Sequence, residues 1–502
     1  MDSQYFLGVL HFVIQPASLF TMVVSVFFGL VVGMLPGLTA TMAVALLTGL
    51  TYKLSNEVAI LSLIAVYIGA ISGGCQSAIL MNIPGTPASA ATAVDGFPIG
   101  QRGEGGLGIF VATMSSCIGT LTGTLCVLLL TPPLAVLALK FGAFEFFLLA
   151  LFGVMICGQL TAGTDPLKGW ISGILGLIVS QIGMDGMNAY PRFSFGVIDL
   201  MSGIPLIPVM IGLFGFPEIL YGLVSSTARA QVKTTSLEMK KGFAILLKNK
   251  LNMLRSSLIG VSIGIIPGVG EDVAGWLSYW AEKKSSKTPE IFGKGAYEGV
   301  VAAEAGNNSC IGGAIIPVLS LAVPGSAPAA VLLAALWLHG LRPGPLLMSE
   351  TPGFVVDISV YMAMSAITMV FLALIVSKAT VRILSVTSTI LMPIVYVLCT
   401  VGAFVISNSI FDIYLVFVFG VIGLLLRGMS YPAAPFLLGI ILGPMADNSL
   451  RRALILSSGD PSPFFTRPIS LIFASAIILM ALSQLNAFGW LRKLLAHDEL
   501  KE

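Results

Sequence analysis

Along this chain the apolar positions follow neither the strict alternation of a half-buried strand nor the one-sided stripe of a surface helix. They run in long blocks that are apolar on every side and are interrupted by Gly and Pro. A helix apolar all round is buried in a large core or in a bilayer. Continuous blocks at 18–35, 58–71, 107–130, 144–158, 166–182, 205–224, 251–266, 360–376, 390–406, 413–426 and 469–485 read as spans. Each crossing of the hydrocarbon core takes about 20 such residues. Shorter apolar stretches at 77–83, 88–94, 315–323 and 328–338 cannot cross and read as half-helices or re-entrant hairpins. The pattern predicts an all-α polytopic membrane protein of about ten to twelve helices.

Composition sharpens this reading by exclusion. Of 502 residues 56% are hydrophobic and 10% charged, with a mean hydropathy of +0.97, so no stretch remains for a soluble ATPase, a capture lobe or a nucleic-acid module. The 26 basic and 24 acidic side chains nearly balance, which suggests no polyanionic partner and no nucleic acid. Cys75, Cys117, Cys126, Cys157, Cys310 and Cys399 are scattered singly, and His11, His339 and His497 lie far apart, so neither a metal site nor a catalytic nucleophile is expected. The start, Met1-Asp2-Ser3-Gln4, lacks the basic region of a cleavable signal, so the first apolar block is expected to stay as a helix.

Charge does mark one place. Arg229, Lys233, Lys240, Lys241, Lys248, Lys250 and Arg255 face the single acid Glu238, which makes this central linker cytoplasmic by the positive-inside rule. Its part 240–255 reads equally as an amphipathic helix along the membrane surface or as a solvated connector. The linker, 226–256, divides the chain into a first membrane repeat at 1–225 and a second at 257–502.

Ordered Gly/Pro landmarks recur across that division. Gly29-x3-Gly33-x2-Pro36-Gly37 returns 231 positions later as Gly260-x3-Gly264-x2-Pro267-Gly268. Gly73, Pro84 and Gly85 return at a shift of 240 as Gly313, Pro324 and Gly325, with Thr86 and Ser326 following each Pro-Gly. Asp165, Gly173 and Gly176 return as Asp412, Gly420 and Gly423, and Pro208-x3-Gly212 returns as Pro435-x3-Gly439. Any single match in so Gly-rich a chain is worthless, but the ordered set reads as a duplication, expected as two inverted repeats that begin on opposite faces.

Repeats of this kind place broken helices at the bilayer midplane, with half-helix starts facing an anionic substrate and unwound carbonyls facing a coupling cation. Pro84-Gly85-Thr86-Pro87-Ala88-Ser89 and Gly325-Ser326-Ala327-Pro328 suit such starts, with Gly for close approach, Pro for a first turn and hydroxyls as donors. The substrate-binding candidates are Asn82, Pro84, Gly85, Thr86, Ser89, Asn307, Pro324, Gly325 and Ser326. The cation-coupling candidates are Gly37, Gly268, Asp272 and Asn308, with Na⁺ or H⁺ as coupling ion. Glu304, which precedes Asn307-Asn308, and Glu271, beside Asp272, are costly in an apolar setting, and Glu271 reads either as a cation ligand or as a helix cap. The chain contains no phosphate-binding G-x-x-x-x-G-K-[ST] motif. A channel, a permease for an unrelated solute or, remotely, an intramembrane protease are the alternative readings.

The motifs resemble those of the large membrane subunit of the tripartite tricarboxylate transporters. One stretch runs from Gly73-Gly74-Cys75-Gln76 through Asn82-Ile83-Pro84-Gly85-Thr86 to Asp95-Gly96-Phe97-Pro98. The other runs from Phe292-Gly293-Lys294-Gly295-Ala296-Tyr297-Glu298-Gly299 through Glu304, Asn307-Asn308 and Pro324-Gly325-Ser326 to Arg342-Pro343-Gly344-Pro345. Leu442-Gly443-Pro444 and Arg467-Pro468 fit the same pattern, while Ala322 stands where a glycine is usual before the second Pro-Gly. The resemblance implies ion-driven uptake of a carboxylate across a prokaryotic cytoplasmic (inner) membrane, by a multi-pass protein embedded in membrane lipid. It also implies a small membrane subunit and a periplasmic solute-binding protein as partners, and transport by moving the hairpin-bearing part between the two faces.

Overall fold

The computed structural model of the protein describes residues 3–35, 38–163, 165–224, 237–351, 353–377, 380, 393–394, 396–397, 400–404 and 408–484. Among these, seven helices are long and apolar enough to cross a membrane: Pro16–Met34, Asn56–Met81, Pro87–Ala138, Ala143–Thr161, Phe354–Val376, Ile410–Gly428 and Ala433–Leu456. Six shorter apolar helices accompany them, including Ala40–Thr51, Pro166–Val179 and Ala327–Leu338. The architecture is that of an all-α polytopic membrane protein. Local chemistry sets several helix starts: Pro16, Pro166 and Pro468 occupy first positions, where a missing N–H costs no intrahelical bond. Thr39 accepts the Met42 N–H at 3.2 Å to open Ala40–Thr51.

Two expected half-helices are absorbed into longer ones. Residues 77–83 do not stand apart from 58–71; a single helix runs Asn56–Met81 through Gly73-Gly74. Here the glycines serve close packing and break nothing. A Cβ on Gly73 would lie 2.4 Å from the Leu30 carbonyl oxygen, and one on Gly74 would lie 2.3 Å from Ser89 Oγ. Likewise 315–323 is the end of the 25-residue helix Tyr297–Leu321. The stretch 88–94 begins a turn at Pro87–Ser89 and the helix Ala90–Ile99, which bends through Gly100–Glu104 at Gly103 (φ 84°) into Gly105–Ala138. Of the expected span 390–406, residues 390–392, 395, 398–399 and 405–406 fall outside the described residues.

The chain forms two compact units, one made of 1–138 and 205–425, the other of 139–204 and 426–502. Each draws segments from both sides of the basic linker. In the first unit the glycine landmarks pack backbone on backbone in the same way twice. A Cβ on Gly29 would lie 2.4 Å from the Val66 oxygen and one on Gly33 2.1 Å from the Ala70 oxygen. At the corresponding positions a Cβ on Gly260 would lie 2.0 Å from the Gly306 oxygen and one on Gly264 2.5 Å from the Cys310 oxygen. Without a hydrophobic drive between helices in lipid, this close dispersion contact is what holds them.

In the second unit Gly439 packs on Gly173 and Gly176 on Phe436, and Phe144, Leu148, Ala453, Phe464 and Ala474 form a core. A short hairpin, Gly183–Met184 paired with Pro191–Arg192, is pinned to the Ala433–Leu456 helix by a closed ring of charges. Asp185 meets Arg192 at 3.0 Å and Arg451 at 2.8 Å, and Asp447 meets the same two arginines at 2.8 and 2.9 Å.

That ring has a pH signature. The Met187 N–H and the two guanidiniums hold the Asp185 carboxyl below its usual range. A depressed carboxyl contributes stability that is fully present above the unfolded value, about 3.9, and is lost as pH falls through the folded value. The thermal midpoint of the wild type should exceed that of Asp185→Asn by a constant margin above about pH 4, and the margin should narrow below it. A margin that widens with acid would contradict the assignment.

Candidate functional site

Two Pro-Gly hairpins of matching geometry lie inside the first unit. The helix Asn56–Met81 ends at Asn82 in the left-handed region (φ 57°, ψ 24°), and Tyr297–Leu321 ends at Ala322 in the same region (φ 56°, ψ 32°). The Gly85 N–H then reaches back to the Gly74 oxygen at 3.5 Å, and the Gly325 N–H to the Ala314 oxygen at 3.4 Å. All three pairs, 82 with 322, 85 with 325 and 74 with 314, are 240 positions apart. No side chain fits at either glycine: a Cβ would sit 2.0 Å from the Gly33 oxygen in one case and 2.0 Å from the Gly264 oxygen in the other. Ala322 adopts the left-handed conformation without the freedom of glycine, at a cost of roughly 1 kcal/mol.

The half-helices that follow start at buried hydroxyls. Ser326 accepts the Ala329 N–H at 3.3 Å and so caps Ala327–Leu338. Thr86 Oγ1 lies 3.3 Å from Ser89 Oγ. The second hairpin is further fixed by the broken segment before Gly270–Ser285. Gly268 (φ 74°) and Gly270 (φ 80°) direct their N–H groups to the Pro324 and Gly325 oxygens, each at 3.1 Å. Both conformations favour glycine.

Each half of the chain also reaches into the hairpin of the other. Tyr67, on the helix leading to the first hairpin, lies 2.8 Å from Ser326 Oγ and donates its hydroxyl proton to Glu271. Asn307, 240 positions after Tyr67, donates to the Ala88 oxygen at 2.9 Å in the first hairpin. Asn308 accepts from Ser72 at 2.7 Å and donates to Asn307 and Glu304. A third link joins the two long motifs of the sequence. Asp95, fully buried, accepts the N–H groups of Gly293, Gly295 and Ala296 at 2.8 to 2.9 Å on one oxygen and the Tyr279 hydroxyl at 2.9 Å on the other. Arg102 closes the same loop by donating to the Lys294 and Gly295 oxygens.

Among the candidates, Gly85, Thr86, Ser89, Asn307, Asn308, Pro324, Gly325, Ser326 and Gly268 are buried within this assembly, and Pro84 is half-buried. Asn82 and Asp272 are exposed; the buried acid of the broken segment is Glu271, whose partners are Tyr67 and Ser326. Gly37 lies outside the described residues. Tyr67, Ser72, Thr92 and Ser116 carried no signal in the sequence, since single hydroxyls in apolar helices are common and only contact with a distant amide or acid sets them apart. A cavity of about 310 Å³ also opens among Phe6, Leu10, Leu121, Leu125, Val356 and Met364, with an apolar lining that offers nothing to a carboxylate.

The family model of the tripartite tricarboxylate transporter TctA family matches residues 19–438. An uncharacterized 52.8 kDa protein of the TAR-I ttuC' 3' region of Agrobacterium vitis is 34% identical over 457 residues, covering 91% of each chain. A second Agrobacterium vitis protein, from the TAR-II ttuC' 3' region, is 36% identical over 211 residues, which is 42% of this chain and 87% of that protein. No solved structure matches. The chain belongs to the TctA family of tricarboxylate transporter components.

The Asp95 clamp carries a graded prediction. Asp95→Ala strips acceptors from three backbone N–H groups, each buried donor costing roughly 1 kcal/mol or more when left unpaired. Tyr279→Phe removes one of the four hydrogen bonds that Asp95 accepts, roughly 1 to 2 kcal/mol. Thermal unfolding of the purified protein should therefore show a several-fold larger loss for Asp95→Ala than for Tyr279→Phe; equal losses would deny the clamp its structural role.

Proposed function

We propose that this TctA-family chain is a secondary active transporter whose carboxylate substrate binds between the two Pro-Gly hairpins. Uptake runs across a prokaryotic inner membrane on an ion gradient. A periplasmic solute-binding protein delivers the substrate and a small membrane subunit completes the assembly. The two halves act as inverted repeats. The observation that carries this reading is the doubled hairpin, with the same left-handed helix end, the same amide-to-carbonyl contact and the same hydroxyl at position 86 or 326.

The physics favours an anion there. A helix start carries about half a positive charge and several unpaired N–H donors, and in an apolar interior little water competes for them. The Thr86 to Ser89 contact at 3.3 Å is weak and is readily exchanged for a charge-assisted bond to carboxylate. Ser326 reaches Glu271 through Tyr67, so an anionic substrate arrives beside a buried acid. Two negative charges in one apolar site repel strongly, and a cation bound with the substrate offsets that repulsion. This gives ion coupling an electrostatic reason.

The test is initial uptake of a labelled tricarboxylate against concentration, with membrane abundance measured alongside. Thr86→Ala and Ser326→Ala should each raise the apparent substrate constant about 10-fold or more, the equivalent of one hydrogen bond to a charged group, roughly 1.5 kcal/mol or more. Gly85→Val should abolish uptake. If both hydroxyl variants keep wild-type kinetics at every concentration, the hairpins do not hold the substrate.

A further inference from the structure

Glu304 is a fully buried carboxylate on the Tyr297–Leu321 helix, and among the described residues it takes part in no ion pair. Its partners are all neutral. Thr92 donates to Oε1 at 2.5 Å, Ser116 donates to Oε2 at 2.7 Å, and Asn308 Nδ2 lies 3.3 Å from Oε2. An ionised carboxylate taken out of water costs several kcal/mol unless a charge compensates it.

We propose that Glu304 is the carboxylate of a sodium site whose other oxygens come from Thr92, Ser116, Asn307, Asn308 and Ser72. The number of oxygens argues for a metal cation over a proton, since one carboxylate oxygen satisfies a proton, whereas hard cations gather about six oxygens. Here two carboxylate oxygens, three hydroxyls and two amide oxygens form one connected, fully buried network. Hydroxyls can turn their protons away at little cost and present lone pairs instead, and a turn of the Asn308 amide exchanges the Nδ2 that now faces Glu304 for its oxygen. A single acid among neutral oxygens balances one positive charge, which selects a monovalent ion over a divalent one.

The site would also sense the first hairpin. Thr92 lies on the Ala90–Ile99 helix that follows it, and Asn307 holds the Ala88 oxygen at 2.9 Å within it. An ion that draws Glu304, Thr92 and Asn308 together therefore tightens the hairpin against the Tyr297–Leu321 helix. That consequence for coupling rests on the transport reading above, whereas the site itself is measurable without substrate.

The experiment is thermal unfolding of the purified full chain in detergent, titrated with NaCl at constant ionic strength set by choline chloride, with no carboxylate present. The wild type should show a saturable rise in midpoint with Na⁺, and none with choline. Glu304→Gln, which keeps the shape and most hydrogen bonds, should abolish the rise while eluting as folded protein. Ser116→Ala should raise the half-saturating Na⁺ concentration several-fold, and it decides the matter if Glu304→Gln fails to fold. No Na⁺-specific rise in the wild type, an unaltered rise in Glu304→Gln or in Ser116→Ala, or a rise reproduced by acid alone would overturn the site. A sodium response that persists in protein unable to take up tricarboxylate upholds the site and counts only against the transport reading.

Discussion

The whole arrangement depends on one constraint: a helix broken inside an apolar interior must have its freed backbone groups satisfied by another segment of protein. Both hairpins meet it with glycine. Gly85 and Gly325 approach the Gly33 and Gly264 carbonyls so closely that no Cβ fits, and their amides turn back to the Gly74 and Ala314 carbonyls. The broken segment at Gly268 and Gly270 is satisfied in turn by the carbonyls of Pro324 and Gly325. Each break is thus held by a neighbouring break or by a glycine-lined helix, and the helix starts at Thr86 and Ser326 are fixed in place without lining the interior with charge.

Polar side chains then tie the two halves together at a few points. Asp95 gathers three backbone amides of the Gly293–Ala296 loop, Asn307 reaches the first hairpin, and Tyr67 reaches the second. Such fully satisfied buried networks specify a unique packing that apolar contacts alone leave loose, because each unpaired member is costly. The same economy leaves two acids, Glu271 and Glu304, beside the hairpins with neutral partners. In the transport reading proposed above, their placement is what couples an anionic substrate to a cation.

Much of this was legible in the sequence because Gly and Pro have few alternatives in a membrane segment. The Pro84-Gly85 and Pro324-Gly325 pairs, their hydroxyl neighbours and the spacing of Gly29, Gly33, Gly260 and Gly264 mark the hairpins and the helices that receive them. Gly73-Gly74 misled in the opposite direction, since composition does not tell a glycine that breaks a helix from one that lets a neighbour approach. The choice between Glu271 and Asp272 depends on the helical phase after a non-helical turn, which Gly268 and Gly270 set and periodicity does not carry across. Tyr67, Thr92 and Ser116 act through partners more than 180 residues away in the chain, and no local pattern announces such a contact.

The central claim is that the paired hairpins hold the substrate, and the most direct measurement is an experimental structure of the full assembly with a tricarboxylate bound. Ligand density is expected at the backbone amides that open the half-helices after Thr86 and Ser326, with at least one carboxylate group on each hairpin. Density bound elsewhere, with both hairpins packed as they are without ligand, would contradict it.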